Sequence, residues 1–309
     1  MKIITITLNP AFDRHCYAEN FQPYHENLAH PTALDVGGKG VNVSRALTAN
    51  GVESTAVVVL GRENGDAFLR TLAEEGIEVR AIEVDGRIRE NLTIHTDGAP
   101  ETRISFAGFT ADGTLIERVE RELDCLAGAG DLVTLTGRNP DGVSMEAIQA
   151  MLARLKKRGV RLVIDSRSFS KEDLLAAKPW LIKPNEEEIA AYTDIAVCDW
   201  MSAQKAAEIL RAEGIENVMI SLGGRGAVLA CAGGCYVAHA PKVQVLSTIG
   251  AGDSAIAGFC AAVLEEKPYA EALRYAIAYG SAACLAEGTR PPKKEDVAVL
   301  LEQIQIERI

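Results

Sequence analysis

The sequence predicts an α/β fold: a mostly parallel sheet with helices on both faces and a small β-sheet beside it. Two observations carry this expectation. Buried-type apolar runs alternate with helix-period segments along most of the chain. Two strand-rich stretches, 11–36 and 87–106, interrupt that alternation. The expected organisation is one large α/β domain over 1–309, with a small β appendage supplied by those two stretches.

The elements follow in order. Met1–Leu8 reads as the first strand, with no signal-peptide cleavage pattern around it. Thr55–Gly61 is a strand apolar on both faces. Asn64–Glu75 then lines Phe68, Leu69 and Leu72 on one helical face before Gly76 stops it. Within the second inserted stretch, Thr96-Asp97-Gly98 is a turn between two short strands. Asp131–Gly137 is the next buried strand, and Ser144–Arg158 places Ile148, Met151, Leu152 and Leu155 at helical spacing. Val160–Asp165 and Asn217–Leu222 are strands either side of the Ser202–Glu213 helix. Val228–Ala240 reads as a hairpin turned at Gly233-Gly234, and Val243–Leu246 as a strand leading into a final glycine segment.

Composition excludes several function classes. Of 309 residues, 43 are Asp or Glu and 32 Lys or Arg, a net charge of −11 that repels phosphate backbones and anionic lipid surfaces. No apolar run approaches the roughly 20 residues of a membrane-spanning helix. Seven cysteines with no CxxC pair fit reduced thiols, so a cytoplasmic enzyme is expected, with neither nucleic acid nor membrane as partner.

Four segments bear chemistry. Thr248-Ile249-Gly250-Ala251-Gly252-Asp253-Ser254 opens a helix that carries Ile256, Phe259, Cys260, Val263 and Leu264. Glycines at a helix start leave amides free for an anion. Asp253 would oppose a resting anion and suits a proton acceptor beside developing negative charge; it equally suits a helix cap. The same segment mimics a dinucleotide fingerprint at Gly250, Gly252 and Ala255, but a carboxylate in the turn would face pyrophosphate. Gly38-Lys39-Gly40 lacks the Walker A spacing.

In Asp35-Val36-Gly37-Gly38-Lys39-Gly40-Val41-Asn42, the glycines allow close backbone approach to a ligand, with Lys39 and Asn42 as polar contacts; a plain loop-to-helix turn is the alternative. Lys183-Pro184-Asn185-Glu186-Glu187-Glu188 puts Asn185 and Glu188 on one face of a first helical turn. Their hard oxygens suit the hydration shell of Mg²⁺, and equally an acidic turn that satisfies the helix dipole. Ser221-Leu222-Gly223-Gly224-Arg225-Gly226 ends a strand in a flexible loop, where open α/β sheets bind ligands. The five histidines and the Cys231/Cys235 pair form no metal-ligand pattern.

Taken in order, from Thr7-Leu8-Asn9-Pro10-Ala11-Phe12-Asp13 to Glu287-Gly288-Thr289-Arg290, these segments resemble the phosphofructokinase B branch of the ribokinase-like sugar kinases. The resemblance implies a doubly wound, mostly parallel α/β sheet with helices on both faces, and makes the stretches 11–36 and 87–106 a small β-sheet lid over the sugar. The resemblance implies that Asp253 deprotonates the acceptor hydroxyl and that Gly250, Ala251 and Gly252 form the anion hole. It implies that Ser221, Leu222, Gly223, Gly224, Arg225 and Gly226 line the ATP site, with Lys183, Asn185 and Gly252 near the phosphates. Asn185 and Glu188 would organise Mg²⁺ through water, and Asp13, Gly37, Gly38, Lys39 and Asn42 would hold the sugar.

The TLNPA start and Lys39 look most like the members that act on phosphorylated ketohexoses. The expectation is therefore ATP-dependent conversion of fructose 1-phosphate to fructose 1,6-bisphosphate. Tagatose-6-phosphate kinase is the near alternative, and a catalytically silent sugar- or nucleotide-binding regulator the distant one. Arg89 and Arg103 on the lid would bind the acceptor's phosphate. The chain departs from its relatives at Gly137-Arg138-Asn139-Pro140-Asp141-Gly142, where they carry G-S-L-P-x-G, at Thr93, and around Asn27-Leu28-Ala29. Arg138 is a candidate replacement cation. A lid of few strands has an unpartnered apolar face, which suggests a homodimer built lid to lid.

Overall fold

The computed structural model describes residues 1–309. The chain runs β1 (Ile3–Thr7), β2 (Ala11–Tyr17), β3 (His30–Gly37), α1 (Lys39–Ala49), β4 (Thr55–Gly61), α2 (Gly65–Glu74) and β5 (Glu78–Val84). It continues through β6 (Arg89–His95), β7 (Thr102–Ser105), α3 (Leu115–Leu126), β8 (Leu132–Thr136), α4 (Met145–Lys157), β9 (Arg161–Asp165) and α5 (Lys171–Ala177). Next come β10 (Leu181–Ile182), α6 (Glu186–Thr193), α7 (Trp200–Ala212), β11 (Asn217–Ser221), β12 (Gly226–Cys231) and β13 (Gly234–His239). The last elements are α8 (Ala251–Leu264), α9 (Tyr269–Ala283), α10 (Lys294–Leu301) and β14 (Ile306–Arg308).

Ten strands form one sheet in the order β14-β13-β12-β11-β10-β9-β8-β1-β4-β5. From β5 to β11 every neighbouring pair is parallel, while β12, β13 and β14 add antiparallel at one edge. Strand alternation distributes side chains between two layers. On β4, Val57 and Val59 join one core cluster, while Ala56, Val58 and Leu60 pack on Phe68 and Leu72 of α2. On β1, Ile4 and Ile6 face the first cluster; Thr5 faces α1, where its hydroxyl lies 2.8 Å from that of Ser44. The second large cluster, built on α8 and α9 around Phe259, covers the opposite face. The sheet is buried on both sides, which is why its strands read as continuous apolar runs.

The lid is a separate four-stranded sheet in the order β3-β2-β6-β7. Its strands fall within the two interrupting stretches, β3 running one residue past the first. The register pairs Ala11 with Gly37 and Arg89, Asp13 with Asp35 and Asn91, and Thr93 with Arg103. With a period of two, Asp13, Arg89, Asn91 and Arg103 therefore share one lid face.

Two expectations need correction. The hairpin turn is Ala232-Gly233, with Gly234 already the first residue of β13 at φ 117°. Val243–Leu246 is not a strand. The free edge of β13 is taken by β14, so the run has no strand to pair with and crosses as an open strap. Its Leu246 N–H donates to Cys284 O at 2.9 Å, and Val245 and Leu246 are exposed.

Candidate active site

The carboxyl ends of β1, β8, β9 and β10 meet the start of α8 beneath the lid, where crossovers leave a crevice in sheets of this kind. Gly250 adopts φ 78°, a left-handed turn that needs no Cβ, and points the first amides of α8 into the crevice. The N–H groups of Gly252 and Asp253 have no acceptor in the chain, whereas that of Ala251 donates to Thr248 O at 3.3 Å. A Cβ on Gly252 would lie 3.1 Å from Lys183 Nζ, so free amides and an ammonium converge on one small space. That set fits a phosphoryl group.

Asp253 sits in the first turn of α8 and is 6% exposed. Asn42 Nδ2 of α1 donates to its Oδ2 at 2.8 Å. Burial pushes the Asp253 carboxyl up to about 6, against the opposing pull of Lys39 and the Asn42 hydrogen bond. It does not act as a cap here, since Gly250 is the N-cap and no side-chain cap bond forms.

A residue without a sequence motif organises the rest. Asp165, at the end of β9, accepts from Lys39 Nζ at 3.1 Å and lies 3.5 Å from Lys183 Nζ. Burial would raise its carboxyl, but Lys183 and Lys39 overcome this and hold it below the usual range. Burial would lower Lys39, but Asp165 and Asp253 outweigh it and raise the ammonium. The crevice floor thus alternates in charge from Lys183 through Asp165 and Lys39 to Asp253. The only sequence signal for Asp165 was a carboxylate ending an apolar strand.

Above this floor, the lid presents Asp13. Its Oδ1 accepts from Asn91 Nδ2 at 2.8 Å and lies 3.6 Å from Arg103 Nη2. A Cβ on Gly37 would stand 2.2 Å from Asp13 Oδ2, so glycine is required there for the close approach. Gly38 is the N-cap of α1, placing Lys39 and Asn42 in its first turn. Arg89 Nη1 donates to Asn91 Oδ1 at 3.1 Å and to Phe106 O at 3.4 Å, while its buried Nε has no partner. Beyond Asp13, His15 stacks on His95, with Nδ1 of one 3.2 Å from Nε2 of the other.

On the other side of α8, a cleft of about 590 Å³ is lined by the backbone edge of Ser221, Gly223, Gly224 and Gly226 and by apolar Val243, Val245 and Ile277. Two residues expected there contribute no side chain. Leu222 is 2% exposed and part of the core, and Arg225 pairs with Glu186 and donates to Cys198 O at 2.8 Å.

Asn185 and Glu188 form a capping box on α6: Glu188 N–H donates to Asn185 Oδ1 at 2.8 Å and Asn185 N–H to Glu188 Oε2 at 3.0 Å. Arg167 Nε donates to Glu188 Oε1 at 3.2 Å. Glu188 and Asp165 line one small recess with Lys183. With each Glu188 oxygen already accepting one bond, the remaining lone pairs suit waters of a hydrated Mg²⁺ better than direct ligation.

The model of the pfkB family carbohydrate kinases matches residues 6–296. The 1-phosphofructokinase of Escherichia coli (strain K12) is 32% identical over 309 residues, covering 99% of this chain and 98% of its own. That of Bacillus subtilis (strain 168) is 32% identical over 312 residues, covering 99% of this chain and 100% of its own. The structure of phosphofructokinase-2 from Escherichia coli in complex with substrates and products matches with a TM-score of 0.91 at 28% identity, covering 98% of this chain and 99% of that one.

Proposed function

The chain belongs to the pfkB family of carbohydrate kinases, and from that premise we propose that it transfers the γ-phosphoryl group of ATP to fructose 1-phosphate, giving fructose 1,6-bisphosphate. The observation that carries this reading is the position of Asp253, between free amides beside Lys183 on one side and a lid face bearing Arg89 and Arg103 on the other. The first pair suits the donor's phosphate and the second an acceptor that already carries one.

The chemistry asked of the protein is positioning and charge stabilisation. Asp253 takes the proton of the attacking hydroxyl. A carboxyl raised to about 6 is a stronger base than an ordinary one and remains mostly ionised at neutral pH. Asn42 fixes one of its oxygens, leaving the other for the hydroxyl. The free amides of Gly252 and Asp253 at the Gly250-Ala251-Gly252 turn, with Lys183, stabilise charge on the moving phosphoryl group. Asp13 and Asn91 hold sugar hydroxyls. The apolar strap residues Val243 and Val245, with Ile277, provide a slot for the base of ATP. Asn185 and Glu188 would hold a hydrated Mg²⁺, which when bound would supply neutralisation of the phosphates' negative charge.

The 1-phosphofructokinases at 32% identity support fructose 1-phosphate as the acceptor. Phosphorylation of tagatose 6-phosphate is the second reading, favoured by the arginine-bearing lid alone, which recognises phosphate and not the sugar's stereochemistry. We further propose a homodimer through the outer lid face, where Leu34, Ile104 and Phe106 are exposed; light scattering at micromolar concentration would give twice the chain mass.

A coupled ADP-release assay against ketoses and ketose phosphates tests the assignment. Turnover with fructose 1-phosphate well above that with fructose 6-phosphate, tagatose 6-phosphate and fructose is the expected result. A preference for the unphosphorylated sugar would overturn the acceptor. No turnover on any sugar would leave the silent-regulator reading.

A further inference from the structure

Resting on the reading that the acceptor carries a phosphate, we infer that Arg138 is the third arm of the phosphate clamp, reaching from the body while Arg89 and Arg103 reach from the lid, so that acceptor phosphate ties the lid to the body. Arg138 follows Gly137 at the carboxyl end of β8, in a loop fixed on several sides. Gly137 N–H donates to Asp165 O at 3.0 Å, Gly137 O accepts from the Ser166 hydroxyl, and Asn139 N–H donates to Ser168 Oγ at 3.0 Å. A Cβ on Gly137 would touch Lys39 Cβ at 3.6 Å, which puts the root of Arg138 beside the acceptor side of the crevice.

The far end of the same loop is joined to the segment on which Arg89 lies. Ala111 N–H donates to Asp141 O at 2.7 Å, and Thr110 and Asp141 form a parallel bridge. Arg89 itself lies along that segment, donating to Phe106 O, with its Cδ 3.6 Å from where a Cβ on Gly108 would stand. Three guanidinium groups therefore border one space, where Asp13 is the carboxylate that acts on Arg89 and is already held by Asn91 and Arg103. Arg138 is exposed and pairs with no carboxylate, and the buried Nε of Arg89 has no acceptor. Burial, together with Arg138 and Arg103 and against Asp13, holds the Arg89 guanidinium below its ordinary range. An excess of two positive charges and an orphaned buried donor match a dianionic phosphate ester.

Two of the arms sit on the lid and one on the body, so a phosphate bound by all three joins two parts of the molecule. Binding energy from a group that does not react is then available to hold the lid closed over the reacting centre. Arg138 in this account is a specificity-determining residue.

Arg138→Gln keeps a polar side chain at an exposed position while removing the charge and the guanidinium fork. The ratio of kcat/KM for fructose 1-phosphate to that for fructose is expected to fall about 10- to 100-fold, the loss of one charge-assisted contact. Arg138→Lys should recover part of it, since it restores charge without the planar fork. An unchanged ratio in Arg138→Gln overturns the inference. A second probe is phosphite dianion added to fructose. It should raise turnover in the wild type and not in Arg138→Gln; equal activation of both, or none in the wild type, overturns the joint clamp. Should the wild type show no preference for the phosphorylated sugar, the phosphosugar reading itself fails, which is distinct from a wild-type preference that Arg138→Gln leaves intact.

Discussion

Asn42 on α1 and Asp253 on α8 meet through a 2.8 Å hydrogen bond across 211 residues of chain, at the point where the helix that Gly38 caps meets the anion-binding turn. The bond orients one carboxylate oxygen and leaves the other facing the crevice. Asp253→Asn preserves size and the Asn42 contact while removing the proton acceptor. Turnover should fall by roughly 10²- to 10⁴-fold, the range for a lost general base. ATP affinity, measured by titration calorimetry, should be unaltered; near-normal turnover would remove Asp253 from the base role.

The same carboxylate sets a pH dependence. Because burial raises Asp253 to about 6, the rate should rise with pH through that value as the base ionises. Stability should move the other way. In the window between the unfolded carboxyl near 3.8 and the folded one near 6, the folded state binds more protons, so stability is lost as pH rises. The full effect is about 3 kcal/mol. Asp253→Asn carries no charge to bury, so its melting temperature should exceed the wild type's at about pH 8 and converge with it near pH 4. A constant difference across that range would contradict the linkage.

Glu188→Gln separates the two roles of the α6 turn. Glutamine still accepts the Asn185 N–H, so the capping box survives. The lost ion pair with Arg167, which is 70% exposed, costs almost nothing. Thermal stability should therefore hold, while the Mg²⁺ concentration for half-maximal activity rises as an anionic acceptor of metal-bound water disappears. An unchanged Mg²⁺ titration would leave Glu188 as a helix cap alone.

Much of this architecture was legible because its signals are local. The TAVVVLG run of β4 and the Phe68/Leu72 face of α2 need only periodicity, and the glycine turns at Gly38 and Gly250 need only backbone chemistry. What escaped depends on distant pairing. Val243–Leu246 has strand composition, but the sheet edge it could join is occupied by β14, some 60 residues later. The facing of Arg89 and Arg103 hinges on lid register, which the Thr93–Arg103 pairing settles. Asp165 has no motif at all; its role comes from lysines 126 residues before it and 18 after it.

Asp165 yields the sharpest test of the crevice electrostatics. Its carboxylate is the shared counter-ion of Lys39 and Lys183, both drawn into the crevice floor, with Lys183 8% exposed at the side chain. Asp165→Asn leaves two ammonium groups without it, and breaking a buried pair from one side costs about 3–5 kcal/mol. The substitution should lower the melting temperature accordingly. It should also act on the base. Asp165 raises Asp253, whereas Lys39 and Lys183 lower it. Removing the negative charge, and freeing the lysines to turn toward Asp253, both favour the ionised carboxylate. The acidic limb of the kcat profile should therefore shift to lower pH than in the wild type, even as kcat itself falls from mispositioned lysines. A merely structural Asp165 would reduce the folded fraction and leave the limb where it was; a limb moved to higher pH would invert the charge order proposed for the crevice floor.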